Sequence, residues 1–126
     1  MIKDCTMIEA NPCKDTESIV EVAKKLRENL IRYIYIVDDE GKPVGVVSIL
    51  DINNRIVAEG KDPNGITAKD VMTSPVQSFD EEEDESKAYR ECMEKEIVTC
   101  PVTSDGKLIG MVTIDELLRK ITHYKN

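Results

Sequence analysis

The sequence predicts an α/β (α+β) fold made of two pseudo-symmetric halves, each of order β-α-β-β-α, with their sheets packed against each other. Three observations carry this. The chain repeats itself: Gly41-Lys42-Pro43-Val44-Gly45-Val46-Val47-Ser48-Ile49 returns as Gly106-Lys107-Leu108-Ile109-Gly110-Met111-Val112-Thr113-Ile114, and Lys3-Asp4 returns as Lys69-Asp70. Within each copy, a helical period is followed by two β-rich runs joined by a polar turn. One such half is too small to cover both faces of a short sheet with its own helices, whereas two halves complete one core. The copies lie about 65 residues apart in a chain of 126, which marks a duplication and not a solenoid array. Residues 1–60 form the first repeat, 61–65 a linker and 66–126 the second repeat. The linker is placed by Glu59-Gly60-Lys61-Asp62-Pro63-Asn64-Gly65, which is polar and rich in turn formers.

Each element has its own signal. Asp15-Thr16-Glu17-Ser18 starts a helix whose apolar positions Ile19, Val22, Ala23, Leu26 and Leu30 recur at three- and four-residue steps. Tyr33-Ile34-Tyr35-Ile36-Val37 is β-branched and aromatic, as suits a strand. Asp38-Asp39-Glu40-Gly41-Lys42 turns the chain, with Gly41 free to take positive φ. Val44 through Ile49 returns as a nearly all-apolar strand, and a helical pattern resumes from about Leu50 to Ala58. The second half repeats the order, with a helix around Ser86 to Glu96 and strands near Val98–Val102 and Leu108–Thr113. A last helix carries Leu117, Leu118 and Ile121. Because both returning strands are apolar on both faces, Val46, Val47, Ile109 and Val112 are expected to be buried. The run Asp80-Glu81-Glu82-Glu83-Asp84-Glu85 reads as a solvated helix start, where carboxylates suit the macrodipole. Its alternative reading is a docking surface for a basic partner.

Bulk properties narrow the function. With 17 basic and 25 acidic side chains the formal charge is −8, which disfavours nucleic acid and anionic membranes as partners. No run approaches the ~20 apolar residues that span a bilayer, and the N-terminus has no apolar stretch behind a basic start, so a cytoplasmic protein is expected. Cys5, Cys13, Cys92 and Cys100 include no Cys-x-x-Cys, and His123 is the one histidine. No metal site is therefore expected, and reduced, packed thiols are. There is no Gly-x-Ser-x-Gly elbow, no phosphate-binding Walker loop, no His/Cys dyad at useful spacing and no dinucleotide glycine fingerprint. The chain is not expected to be an enzyme.

The repeated segment Gly45-Val46-Val47-Ser48-Ile49-Leu50-Asp51 has the pattern Gly-h-h-Ser/Thr-x-x-Asp, where h is apolar. The second copy, Gly110-Met111-Val112-Thr113-Ile114-Asp115-Glu116, ends in glutamate instead. Pro101-Val102 closes a strand, and Lys69-Asp70-Val71-Met72-Thr73 introduces the second repeat. Together, and occurring twice in order, these features resemble the CBS domain, and the pair resembles a Bateman module. The resemblance implies a regulatory sensor that binds AMP, ADP, ATP or an S-adenosyl compound in clefts between the repeats, needs no cofactor, forms a homodimer and acts on a regulated protein or through a change of assembly. Its alternative is a ligand-free structural or dimerisation module. Carried onto this chain, the first site comprises Ser48, Asp51, Arg32, Tyr33, Ile97 and Val98, and a weaker second site comprises Thr113, Glu116 and Ile31.

The residue chemistry is consistent with those roles. Ser48 falls at a strand-to-helix junction, where free backbone N–H groups attract an anion. Asp51, one turn on, has the oxygens to accept two hydrogen bonds from a vicinal diol. Arg32 supplies a cation for a phosphate, whereas the second copy has Val98 or Thr99 at the comparable place. Both Ser48-x-x-Asp51 and Thr113-x-x-Glu116 also read as helix caps and nothing more.

Overall fold

The computed structural model describes residues 1–124, with side chains through Thr122, so the side chain of His123 lies outside the described residues. The chain forms two compact units. One runs from Asn11 to Val76, and the other joins Met1–Ala10 to the chain from Gln77 onward. This division differs from the one expected from the repeats. Residues 61–65 form a loop inside the first-named unit, and residues 66–76 pack with the repeat that precedes them. The reason is in the cores: Ala68 and Val71 are buried among Cys13, Ile19, Val22 and Ile36. Ile2 and Cys5 are buried among Phe79, Val102, Val112 and Leu117.

In the unit Asn11–Val76, β1 (Cys13–Lys14) runs parallel to β2 (Tyr33–Val37), which pairs antiparallel with β3 (Pro43–Ser48). Helix α1 (Ile19–Glu28) connects β1 to β2, and Ser18 caps it by accepting the Glu21 N–H at 3.2 Å. Leu30 does not extend its apolar face. The chain leaves the helix at Asn29, Leu30 takes φ 53°, and its side chain is 92% exposed. The Ile31 N–H returns to the Leu26 carbonyl at 3.1 Å, a six-to-one closure that ends the helix. After β3 comes α2 (Ile49–Ile52), which widens into a π turn over Asn53–Val57, closed by the Ala58 N–H on the Asn53 carbonyl at 2.7 Å. The short α3 (Ala68–Val71) then folds back onto the core.

The other unit repeats the order. A 3-10 turn (Ile2–Asp4) precedes β4 (Phe79–Asp80), which runs parallel to β5 (Thr99–Ser104), itself antiparallel to β6 (Lys107–Thr113). Helices α4 (Glu85–Glu94) and α5 (Ile114–Tyr124) complete it. Only the last two residues of the acidic run start the helix, Asp84 as its cap and Glu85 as its first residue, and Glu85 is buried, not solvated. Phe79 is buried and aligns with Val102, so Asp80 belongs to a strand, the chain then turns, and Asp84 caps α4 by accepting the Lys87 N–H at 3.1 Å. Cys92 on α4 and Cys100 on β5 are both buried with their sulfurs in contact, and Cys5 and Cys13 are free, buried thiols, as expected.

Both returning strands have one core face, not two. Val47 and Val112 are fully buried, Val46 is half-buried and Ile109 is 47% exposed. The free edge of each returning strand is met at one point by the segment that introduces a repeat. Thr73 and Val46 exchange N–H···O bonds at 2.8 and 3.0 Å, and Ile8 and Met111 do so at 2.8 and 2.9 Å. Here the repeated glycine has its reason. A Cβ on Gly45 would lie 2.6 Å from Met72 Sδ and 2.9 Å from the Thr73 carbonyl; one on Gly110 would lie 3.2 Å from the Ile8 carbonyl. The glycine admits a crossing backbone, which is a close-approach role and not a turn.

Candidate functional site

The Ser48–Asp51 junction is a reciprocal cap. The Asp51 N–H donates to Ser48 Oγ at 3.0 Å, and the Ser48 N–H donates to Asp51 Oδ2 at 2.9 Å. The other carboxylate oxygen, Oδ1, accepts the Thr73 hydroxyl at 3.0 Å. Arg55, on the π turn, donates from Nη1 to the carbonyls of Val71 at 2.7 Å and Met72 at 2.9 Å, and its Nη2 lies 3.9 Å from Asp51 Oδ1. Asp51 is thus 15% exposed and held from three sides. A carboxylate has roughly four lone-pair positions, so two protein donors leave acceptor capacity on it.

Beside this junction lies an open groove of about 540 Å³, lined by Arg32, Tyr33, Ser48, Ile49, Leu50 and Asn53. Three of the expected residues, Arg32, Tyr33 and Ser48, therefore share one wall, while Asp51 is tied to them through Ser48. Tyr33 and Tyr35 project from one face of β2 and meet edge to face, with centroids 5.8 Å apart. An adjoining apolar groove of about 470 Å³ shares Arg32 and Ile49 and is otherwise lined by Ile52 of α2 and by α1 and its exit, Leu30 and Ile31 included. Ile31, expected with the second site, thus lines a groove of the Asn11–Val76 unit.

The corresponding junction in the other unit is wired differently. The Glu116 N–H donates to Thr113 Oγ1 at 3.1 Å, which is half of a capping box. The Glu116 carboxylate goes elsewhere. It accepts the Thr6 N–H at 2.7 Å, and Arg119 binds both of its oxygens, at 2.7 and 3.0 Å. The Arg119 guanidinium, followed by the Thr6 N–H, holds its pKa down to about 2. Val98, 67% exposed, stands where Arg32 stands: the Ile114 N–H donates to the Val98 carbonyl as the Ile49 N–H does to that of Arg32. Ile97 packs half-buried against the core of its own unit.

Two residues at the first junction escaped the sequence reading. Thr73 was visible only as the end of the Lys69–Thr73 run, and Arg55 as a basic residue four places after Asp51. Among the described residues, no three His, Cys, Asp or Glu side chains gather to hold a metal, and no helix is long and apolar enough to cross a membrane.

Comparison with known proteins identifies the family and the fold. A family model of the CBS domain matches residues 1–58 and again residues 68–123. An uncharacterized protein of Methanopyrus kandleri is 35% identical over 105 residues, covering 82% of this chain but only 54% of its own length. Among solved structures, hypoxic response protein I with two coordinated zinc ions superposes with a TM-score of 0.78 at 24% identity, covering 94% of this chain and 96% of that one. The CBS-pair protein CBSX2 of Arabidopsis thaliana in complex with AMP gives 0.75 at 24%, covering 99% and 98%. A CBS domain pair in complex with 5′-methylthioadenosine and S-adenosyl-L-methionine gives 0.69 at 28%, covering 98% and 97%. With two family matches that span most of its length and a fold of two β-α-β-β-α units, this chain belongs to the CBS-domain family as a tandem pair.

Proposed function

We propose that this chain is a regulatory module that binds an adenosine compound at the groove beside Ser48, and that it transmits occupancy through a partner protein or a change of assembly as a homodimer. The observation that carries the reading is the groove itself, where Arg32, Tyr33 and Ser48 line one opening at a strand-to-helix junction. Tyr33 offers an aromatic edge for a base, Arg32 a cation for a phosphate, and Asp51 residual acceptor capacity for a ribose. The similarity to pairs that hold AMP, or methylthioadenosine with S-adenosylmethionine, supports the ligand class.

Thermal shift with AMP, ADP, ATP, S-adenosylmethionine and methylthioadenosine tests it. A ligand at 100 times its Kd raises stability by about 2.7 kcal/mol, a shift of several degrees for a domain of this size. No shift with any of the five rejects the adenosine reading. Light scattering at tens of micromolar tests the assembly, with a dimeric mass expected.

One observation favours a second reading, a ligand-free interaction module. Ser48 and Asp51 already satisfy each other as a helix cap, and Leu30, Ile49 and Leu50 leave apolar surface exposed. A dimeric protein that ignores all five compounds would support it.

A further inference from the structure

Arg55 takes part in neither the core nor the lining of the groove, yet it donates two short hydrogen bonds beside Asp51. It sits on the π turn Asn53–Val57, a geometry often found at functional sites. From there one nitrogen, Nη1, holds two consecutive carbonyls, those of Val71 and Met72, while Nη2 faces Asp51 Oδ1 at 3.9 Å. The next residue, Thr73, is the one whose hydroxyl reaches the same carboxylate oxygen. Among its described residues the other unit has no arginine that clamps the incoming segment in this way. Its α5 continues without a π turn, Arg119 is spent on Glu116, and Ile8, which has no hydroxyl, takes the bridge position of Thr73.

We propose that Arg55 is the positioning residue of the first groove: by clamping Val71 and Met72 it fixes Thr73 on one oxygen of Asp51, which sets the direction in which the remaining acceptor positions face a ligand. The guanidinium is suited to this because its planar donors are fixed relative to one another, whereas a lysine ammonium at the end of a flexible stem holds no such geometry. The consequence is a physical link between occupancy of the groove and the segment Val71–Thr73. For its ligand the proposal rests on the adenosine reading; for its geometry it does not.

The test uses the full chain as wild type, Arg55→Gln, Arg55→Lys and Thr73→Val, with two readouts. Hydrogen exchange in the absence of ligand reports the amides of Met72 and Thr73, which are bonded to the Ala68 and Val46 carbonyls. Arg55→Gln is expected to speed their exchange at least ten-fold while amides inside β2 keep the wild-type rate; Arg55→Lys falls between. Calorimetric titration with AMP is expected to show about a ten-fold loss for Arg55→Gln and a similar loss for Thr73→Val, in which exchange at Met72 stays slow. Unchanged exchange at Met72 and Thr73 overturns the proposal, as does acceleration spread equally over β2, which would mark a merely structural arginine. AMP binding by Arg55→Gln at wild-type strength also overturns it. If wild type binds no adenosine compound, the ligand reading fails separately, and selective exchange still upholds the clamp.

Discussion

The two units start from the same repeated segment and finish with different electrostatics at the same junction. In one, an aspartate shares its carboxylate among the Ser48 N–H, the Thr73 hydroxyl and a guanidinium at ion-pair distance, beside a groove edged by Arg32. In the other, a glutamate one methylene longer folds back onto Arg119 and the Thr6 N–H, and Val98 stands in place of the cation. A conserved-looking cap can therefore lead to two outcomes. A short carboxylate stays at the junction and keeps acceptor capacity there, whereas a longer one reaches past the junction and is consumed by its own helix and by the incoming segment.

The largest expected effect sharpens this comparison at the glycines. Gly45→Ala drives a Cβ into the Thr73 backbone, which is itself tied to Val46 and Asp51. Overpacking of this kind costs about 1–3 kcal/mol. Gly110→Ala meets its nearest backbone atom at 3.2 Å and is expected to cost less than half as much. Chemical denaturation of the two variants measures both; equal losses would show that the crossing segments are held alike.

Next comes the cation. Arg32→Gln is expected to lower AMP affinity by about ten-fold, or 1.4 kcal/mol, while leaving the affinity for adenosine unchanged, because only a phosphate uses the charge. A parallel loss for both compounds would assign Arg32 to packing and not to phosphate.

The smallest effect is a pH dependence at Glu116. Its folded pKa of about 2 lies below the ordinary 4.5. A depressed carboxylate contributes stability that is fully present above its unfolded value and is lost as pH falls through the folded one. Part of the stability is therefore expected to fade from about pH 4.5 down to about 2. Glu116→Gln should flatten that part of the profile, and Arg119→Gln should move its lower edge upward. A profile that Glu116→Gln leaves unaltered contradicts the ion-pair assignment.

What the sequence disclosed, and what it hid, follows from range. The duplication, the core faces of α1 and of β2, and the Ser48–Asp51 cap rest on neighbours in sequence, so periodicity and spacing reveal them. β1 and β4 are two residues each, too short for any period, and only their parallel pairing with β2 and β5 defines them. Leu30 carried the right spacing for α1, but Asn29 ends the helix one residue earlier. Ile109 is apolar on a face that the core does not cover, so composition alone overstated its burial. The roles of Thr73 and Arg55 depend on contacts across 16 to 22 positions, and the packing of residues 66–76 on the preceding repeat depends on longer ones still, such as the Ala68 N–H on the Glu17 carbonyl. No local pattern encodes those contacts except the glycine that permits them.

The most direct test of the account is a calorimetric titration of AMP into wild type, Asp51→Ala and Glu116→Ala. Removing a charged hydrogen-bond partner costs about 1.5–3 kcal/mol, so Asp51→Ala is expected to weaken AMP roughly ten- to a hundred-fold. Glu116→Ala should bind AMP as wild type does and lose only the stability that its bonds to Arg119 and Thr6 provide. If instead Asp51→Ala binds like wild type while Glu116→Ala loses AMP, the roles of the two junctions are reversed and the account is contradicted.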